Sequence, residues 1–129
     1  MKKKILIVNA NYYKEISDGL ISSALKLIQP QYNIKVINVP GVFEIPVTIS
    51  KNLKKFDAFI ALGCVIKGQT PHFDFISQAS TTAIMTLSIE SRKPIGNGII
   101  TCLNMKQAKE RKKKGAEAAK AIISILNQK

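Results

Sequence analysis

The stretch "DAFIALGCVIKGQTPHFDFI", residues 57–76, decides the fold. From Asp57 to Val65 it is almost continuously apolar, as a strand covered on both faces would be. Gly68 and Gln69 break the run. Thr70 followed by Pro71 then makes a good N-cap and first-turn pair, placing His72 in the opening turn of a helix that reaches about Ser91. Pro94 enforces a stop before the next apolar run. A buried strand passing through a short polar turn into a helix is the first half of a parallel crossover unit.

Working outward, the same alternation covers the whole chain. Strands are expected near 4–9 (KILIVN), 34–39 (IKVINV), 57–65 and 95–101 (IGNGIIT). Between the first two, Ile16, Leu20, Ala24, Leu27 and Ile28 fall on one helical face. A shorter helix is expected after Pro46, which suits a first-turn position. The stretch 116–127 carries an apolar stripe of Ala116, Ala119, Ile122, Ile123 and Leu126. The fold class is therefore α/β: a three-layer α/β/α sandwich around a four-stranded parallel sheet, one domain over residues 1–129.

Composition excludes several function classes. A hydrophobic content of 46% with 22% charged residues is ordinary for a soluble protein, and no apolar run approaches a membrane span. The opening MKKKILIVNAN reads as a lysine-rich lead-in to a strand, because its apolar run ends at Asn9, short of a signal sequence. Two cysteines, Cys64 and Cys102, lie apart in strand-like segments, and with one histidine they form no metal-ligand set. Reduced thiols in a cytoplasmic protein are expected. The net charge of +12 raises nucleic acid as a partner, but the densest basic run, KQAKERKKK (106–114), has no aromatic for base stacking. Charge alone leaves small anions and nucleic acid both open; only with the motifs described below is neither nucleic acid nor membrane an expected partner.

In open parallel sheets ligands bind beyond the carboxyl ends of the strands. There the chain places Asn9 to Tyr13, Pro40 to Glu44, and Lys67 to His72. Free N–H groups at the helix start, with Gly68 allowing close approach, could hold a phosphate or an oxyanion. His72 could move protons near neutral pH or serve as a polar first-turn residue. Phe43 and Glu44 could stack on a ring and bond its polar edge, or form a staple before the helix at Pro46. Tyr12 and Tyr13 could be ligand platforms or strand-end aromatics. Arg111, one of two arginines among twenty basic residues, suits a phosphate or a solvated helix face.

Taken together, VPGVFEIP (39–46), ALGCVIKGQTPHFDFI (61–76), PIGNGIIT (94–101), QAKER (107–111) and KGAEAA (114–119) resemble the lumazine synthase family in order and spacing. Family members have a flavodoxin-like fold and act in riboflavin biosynthesis. They condense 5-amino-6-(D-ribitylamino)uracil with 3,4-dihydroxy-2-butanone 4-phosphate, without cofactor or metal. The resemblance implies that Tyr12 stacks on the pyrimidine. Val42, Phe43, Glu44, Cys64, Val65 and Ile66 would hold the ring and ribityl chain. Gln69 and Thr70 would meet the butanone phosphate, and His72 would move protons. Asn97 would form a wall contributed by a neighbouring subunit. Arg111 would clamp the phosphate, with Lys114 assisting.

The sequence departs from the family pattern in three places. Position 12 is Tyr where Phe or Trp is usual, and Asn97 stands where phenylalanine is common. No insertion separates QAKER from KGAEAA, so Lys112 or Lys113 could take the role of Lys114. That insertion accompanies icosahedral shells, and its absence implies a pentamer, or a decamer, in place of a sixty-subunit shell. The short segment before the first strand omits an extra strand that some members lend to a neighbour. A flavin- or pyrimidine-binding module of the same fold, without turnover, is the alternative.

Overall fold

The computed structural model describes residues 2–69 and 71–128. Four parallel strands, β1 (Lys4–Ala10), β2 (Asn33–Val39), β3 (Ala58–Ile66) and β4 (Ile95–Cys102), form one sheet in the order β2-β1-β3-β4. Five helices connect or follow them: α1 (Lys14–Ile28), α2 (Ile45–Asn52), α3 (His72–Ser91), α4 (Met105–Glu110) and α5 (Lys114–Leu126). A single 3-10 turn at Val42–Glu44 leads into α2. The registers run from Lys4 opposite Asn33, Ile5 opposite Ala58, and Phe59 opposite Ile95.

The two central strands are buried on both faces, which explains their unbroken apolar runs. Ile5 and Ile7 of β1 join Ile60 and Leu62 of β3 under α1 and α5. Leu6, Val8, Phe59 and Ala61 face α2 and α3 on the other side. Leu20 and Ile122 are fully buried where α1 and α5 meet the sheet. Truncating either to alanine costs about 2–5 kcal/mol. In α5 Ala119 and Ile122 are buried and Ile123 and Leu126 pack against the core, as the stripe predicts, while Gly115 and Ala118 are buried as well and Ala116 is only half-buried.

Two glycines set close approaches. A Cβ at Gly115 would strike the Leu20 carbonyl, so α5 begins hard against α1. A Cβ at Gly63 would sit 2.8 Å from Val42 Cγ2, so the 3-10 turn can rest on β3. Ser23 of α1 then completes the junction, because α5 has no cap of its own. Its Oγ donates to the Lys112 carbonyl at 2.9 Å and accepts the Ala116 N–H at 3.0 Å.

Helix α3 runs from His72 to Ser91, the limits expected from the sequence, but Pro71 takes the flanking position that the sequence reading gives to Thr70. Its end is made before Pro94 acts: Arg92 adopts the left-handed conformation at φ 58°, and the Ser88 hydroxyl donates to the Lys93 carbonyl at 2.8 Å. Helix α4 has no counterpart among the elements read from hydrophobic periodicity. At six residues it is too short to show a periodic stripe. Reciprocal caps build it, with Gln107 N–H donating to Asn104 Oδ1 at 2.9 Å and Leu103 N–H to Gln107 Oε1 at 2.8 Å.

Candidate active site

After β1 the chain turns outward to β2, then crosses back to β3, so β1 and β3 diverge at a topological switch point. A cavity of about 570 Å³ opens at their carboxyl ends. Tyr12 and Tyr13 line it from the end of β1, Pro40 to Glu44 from the end of β2, and Cys64 to Ile66 from the end of β3. His72 and Ile76, one turn apart on α3, close the remaining side. Of the strand-end residues singled out by sequence, the fold gathers Tyr12, Tyr13, Pro40 to Glu44 and His72 here, but not Asn9 to Asn11 or Lys67 to Gln69.

Tyr12 and Phe43 are the exposed rings of this cavity, at 74% and 69% exposure. Tyr12 is held edge-on against Tyr13, with centroids 4.9 Å apart and planes at 80°. At that exposure much of the Tyr12 ring is open to a flat ligand. Burial, followed by the neighbouring Tyr12 and Cys64, pushes the Tyr13 hydroxyl above the ordinary tyrosine range. The Cys64 thiol is pushed up to about 12, by burial first and then by Cys102. It is a neutral apolar wall at neutral pH, not a nucleophile. Val42 is buried beneath the 3-10 turn and Glu44 is half-buried beside it.

His72 is exposed at the first position of α3. Gln69 is exposed in the preceding turn and does not line the cavity. Thr70 lies outside the described residues.

The remaining sequence-predicted residues stand elsewhere. Asn97, Arg111 and Lys114 line a second cleft of about 700 Å³, beside the edge strand β4 and the start of α5. Arg111 Nη1 donates to the Thr101 carbonyl at 3.1 Å. Asn97 Oδ1 accepts the Ile99 N–H at 3.0 Å. At the ends of β4 the carbonyls of Pro94 and Cys102 accept from Phe59 and Lys67 on the β3 side. Alternation therefore turns Ile99 N–H and the Thr101 carbonyl to the outer edge. Both bonds blunt an otherwise open strand edge.

The cleft also discriminates among the lysines. Lys113 and Lys114 line it, and Lys112 does not. Lys112 Nζ instead lies 3.7 Å from Glu15, with its stem across Gly19. Lys114 Nζ lies 3.8 Å from Glu117. No described residue lines both the His72 cavity and this cleft. The chain therefore presents two separate candidate sites.

Ile76 and Glu110 are lining residues that the sequence reading omits. Ile76 could have been found from its four-residue spacing after His72, and Glu110 from its place beside Arg111. Among the described residues no group of His, Cys, Asp and Glu could hold a metal ion. No described helix is long and apolar enough to cross a membrane.

The sequence profile of the 6,7-dimethyl-8-ribityllumazine synthase family matches residues 2–129. A 6,7-dimethyl-8-ribityllumazine synthase of Bartonella tribocorum is 41% identical over 98% of this chain and 91% of its own length. Enzymes of the same name from Nitrobacter hamburgensis and Zymomonas mobilis are each 40% identical over 98% of this chain, covering 85% and 96% of their own lengths.

Proposed function

Because the chain belongs to the 6,7-dimethyl-8-ribityllumazine synthase family, we propose that it is a transferase of riboflavin biosynthesis. It joins 5-amino-6-(D-ribitylamino)uracil to 3,4-dihydroxy-2-butanone 4-phosphate, giving 6,7-dimethyl-8-ribityllumazine, phosphate and water. The observation that carries this reading is the aromatic-rimmed cavity that ends at His72, where a flat polar ring can stack beside a proton-transfer group.

The pyrimidine lies on Tyr12, with the turn Val42–Glu44 and the end of β3 around its ring and ribityl chain. The amine attacks the butanone carbonyl and water leaves, forming an imine. Phosphate is then eliminated, and a second loss of water closes the ring. His72 shuttles protons through these steps, a role that contributes about 10²–10⁴-fold. Holding both substrates together supplies roughly 7–11 kcal/mol of the barrier. Arg111 and one of Lys113 or Lys114 take the phosphate and offset charge on it as it departs.

The two partial sites are halves of one. The chain assembles as a homo-oligomer in which the His72 cavity of one subunit meets the Asn97–Arg111 cleft of its neighbour. Exposed apolar side chains on α2 and α3, among them Val47, Phe75, Met85 and Ile89, supply surface for that assembly. With no insertion before α5, a pentamer is the form it takes, and the two free cysteines suit the cytoplasm.

The test is to mix the protein with both substrates and follow lumazine absorbance and fluorescence above the spontaneous rate. Catalysed formation supports the enzyme. Pyrimidine binding at the uncatalysed rate would leave a binding module without turnover. A particle of about sixty subunits by light scattering would overturn the pentamer.

A further inference from the structure

The amino ends of the strands, opposite the His72 cavity, carry a feature that the synthase reaction does not use. A cleft of about 370 Å³ there is lined by Lys2, Lys3, Lys4, Lys54, Lys55, Phe56, Asp57 and Lys93. The sheet order explains the gathering. Lys2 to Lys4 enter β1, Lys54 and Lys55 precede β3, and Lys93 precedes β4, which are three adjacent strands. A third of the chain's lysines thus meet at one end of the sheet.

The cleft is a built arrangement. Asp57 N–H donates to the Lys4 carbonyl, and Lys4 N–H to Asp57 Oδ2, both at 2.8 Å. Asn33 N–H donates to the Lys3 carbonyl at 2.9 Å, and Lys55 N–H to Asn52 at 3.0 Å. Lys93 Nζ donates to the Leu53 carbonyl and Lys2 Nζ to the Pro30 carbonyl. The backbones are fixed, yet among the described residues none of the six ammonium groups joins an ion pair. The three ion pairs among the described residues use Lys14, Lys112 and Lys114. The only carboxylate in the cleft, Asp57, is engaged by a backbone N–H. Like charges held together in a concave surface focus a positive potential that an anion relieves.

We propose that this lysine cleft binds a linear polyphosphate group, a di- or triphosphate, at a site separate from the His72 cavity and from Arg111. A compact, multiply charged chain matches several ammonium groups within one small cleft. Lysines offer rotatable point charges to it, without the fixed fork that a carboxylate or single phosphate exploits. A nucleic-acid strand fits less well. It needs an extended track and an exposed ring for its bases. Phe56 is half-buried and packs edge-on against Phe59, with centroids 6.1 Å apart.

The test is calorimetric titration of the assembled protein at low salt with sodium tripolyphosphate, ATP, orthophosphate and a single-stranded oligonucleotide. Tripolyphosphate should bind more tightly than orthophosphate. The Lys54→Gln/Lys55→Gln protein should weaken it about tenfold or more, while Lys26→Gln/Lys120→Gln, with the same charge change elsewhere, should alter it less than about twofold. In Arg111→Ala the binding event that Lys54→Gln/Lys55→Gln weakens should persist, with only the separate phosphate binding at Arg111 lost. ATP equal to tripolyphosphate identifies the free chain as sufficient, whereas tighter ATP binding identifies a nucleotide as the source. Equal loss in both lysine pairs, disappearance in Arg111→Ala of the binding that Lys54→Gln/Lys55→Gln weakens, or preference for the oligonucleotide would each overturn the site.

Discussion

Arg111 donates from its guanidinium to the carbonyl oxygen of Thr101 at 3.1 Å, and that bond holds it at the outer edge of β4. The residue best suited to a phosphate is thereby committed to a surface, away from the cavity that His72 closes. Arg111→Ala should lower kcat/KM for the butanone phosphate by about 10²–10³-fold while leaving pyrimidine binding intact. Arg111→Lys should recover only part of this, because a lysine cannot present the planar fork. Steady-state kinetics in each substrate separates the two effects.

Asn97 uses its carboxamide oxygen on the Ile99 N–H, which leaves no ring at a position where the family commonly has phenylalanine. Asn97→Phe should tighten pyrimidine binding by about 3–10-fold, the worth of an added aromatic contact. A titration showing unchanged affinity would remove Asn97 from the ring wall.

The Cys64 thiol, raised to about 12, should label slowly with a thiol reagent at neutral pH. Only the thiolate reacts, and the raised pKa keeps the thiol protonated past the ordinary cysteine range. The Cys64 labelling rate should therefore still be climbing between pH 9 and pH 10.5, where an unperturbed cysteine levels off. A plateau near pH 9, measured in a Cys102→Ala background, would show that burial does not raise the thiol.

Two backbone positions should respond in opposite directions. Gly115→Ala places a Cβ against the Leu20 carbonyl and should cost about 1–3 kcal/mol in denaturant unfolding. Arg92→Gly relieves a left-handed residue and should stabilise by up to about 1 kcal/mol.

The strands were legible because their causes are local. β1 and β3 are covered on both faces, so burial wrote continuous apolar runs into the chain, and all four strands lie within a residue of their expected limits. Helix α4 was hidden because its signal is a pair of caps, Asn104 and Gln107, with no hydrophobic period. Candidate residues could be named from the sequence, but not their arrangement. Spacing marks Phe43, His72 and Arg111 as chemically apt, yet only the strand order shows that Arg111 belongs to a different opening from His72. That Lys112 lies outside the Arg111 cleft also needed the fold, since its partner Glu15 is on α1.

The most direct test of the shared site is complementation between two impaired chains. His72→Ala and Arg111→Ala proteins, carrying different tags, would be co-expressed, and mixed oligomers isolated through both tags. If each site joins the His72 cavity of one subunit to the Arg111 cleft of the next, some sites in the mixture contain both intact halves. The mixed oligomer should then turn over faster than the average of its two parents. A rate equal to that average would contradict a site built across the subunit boundary.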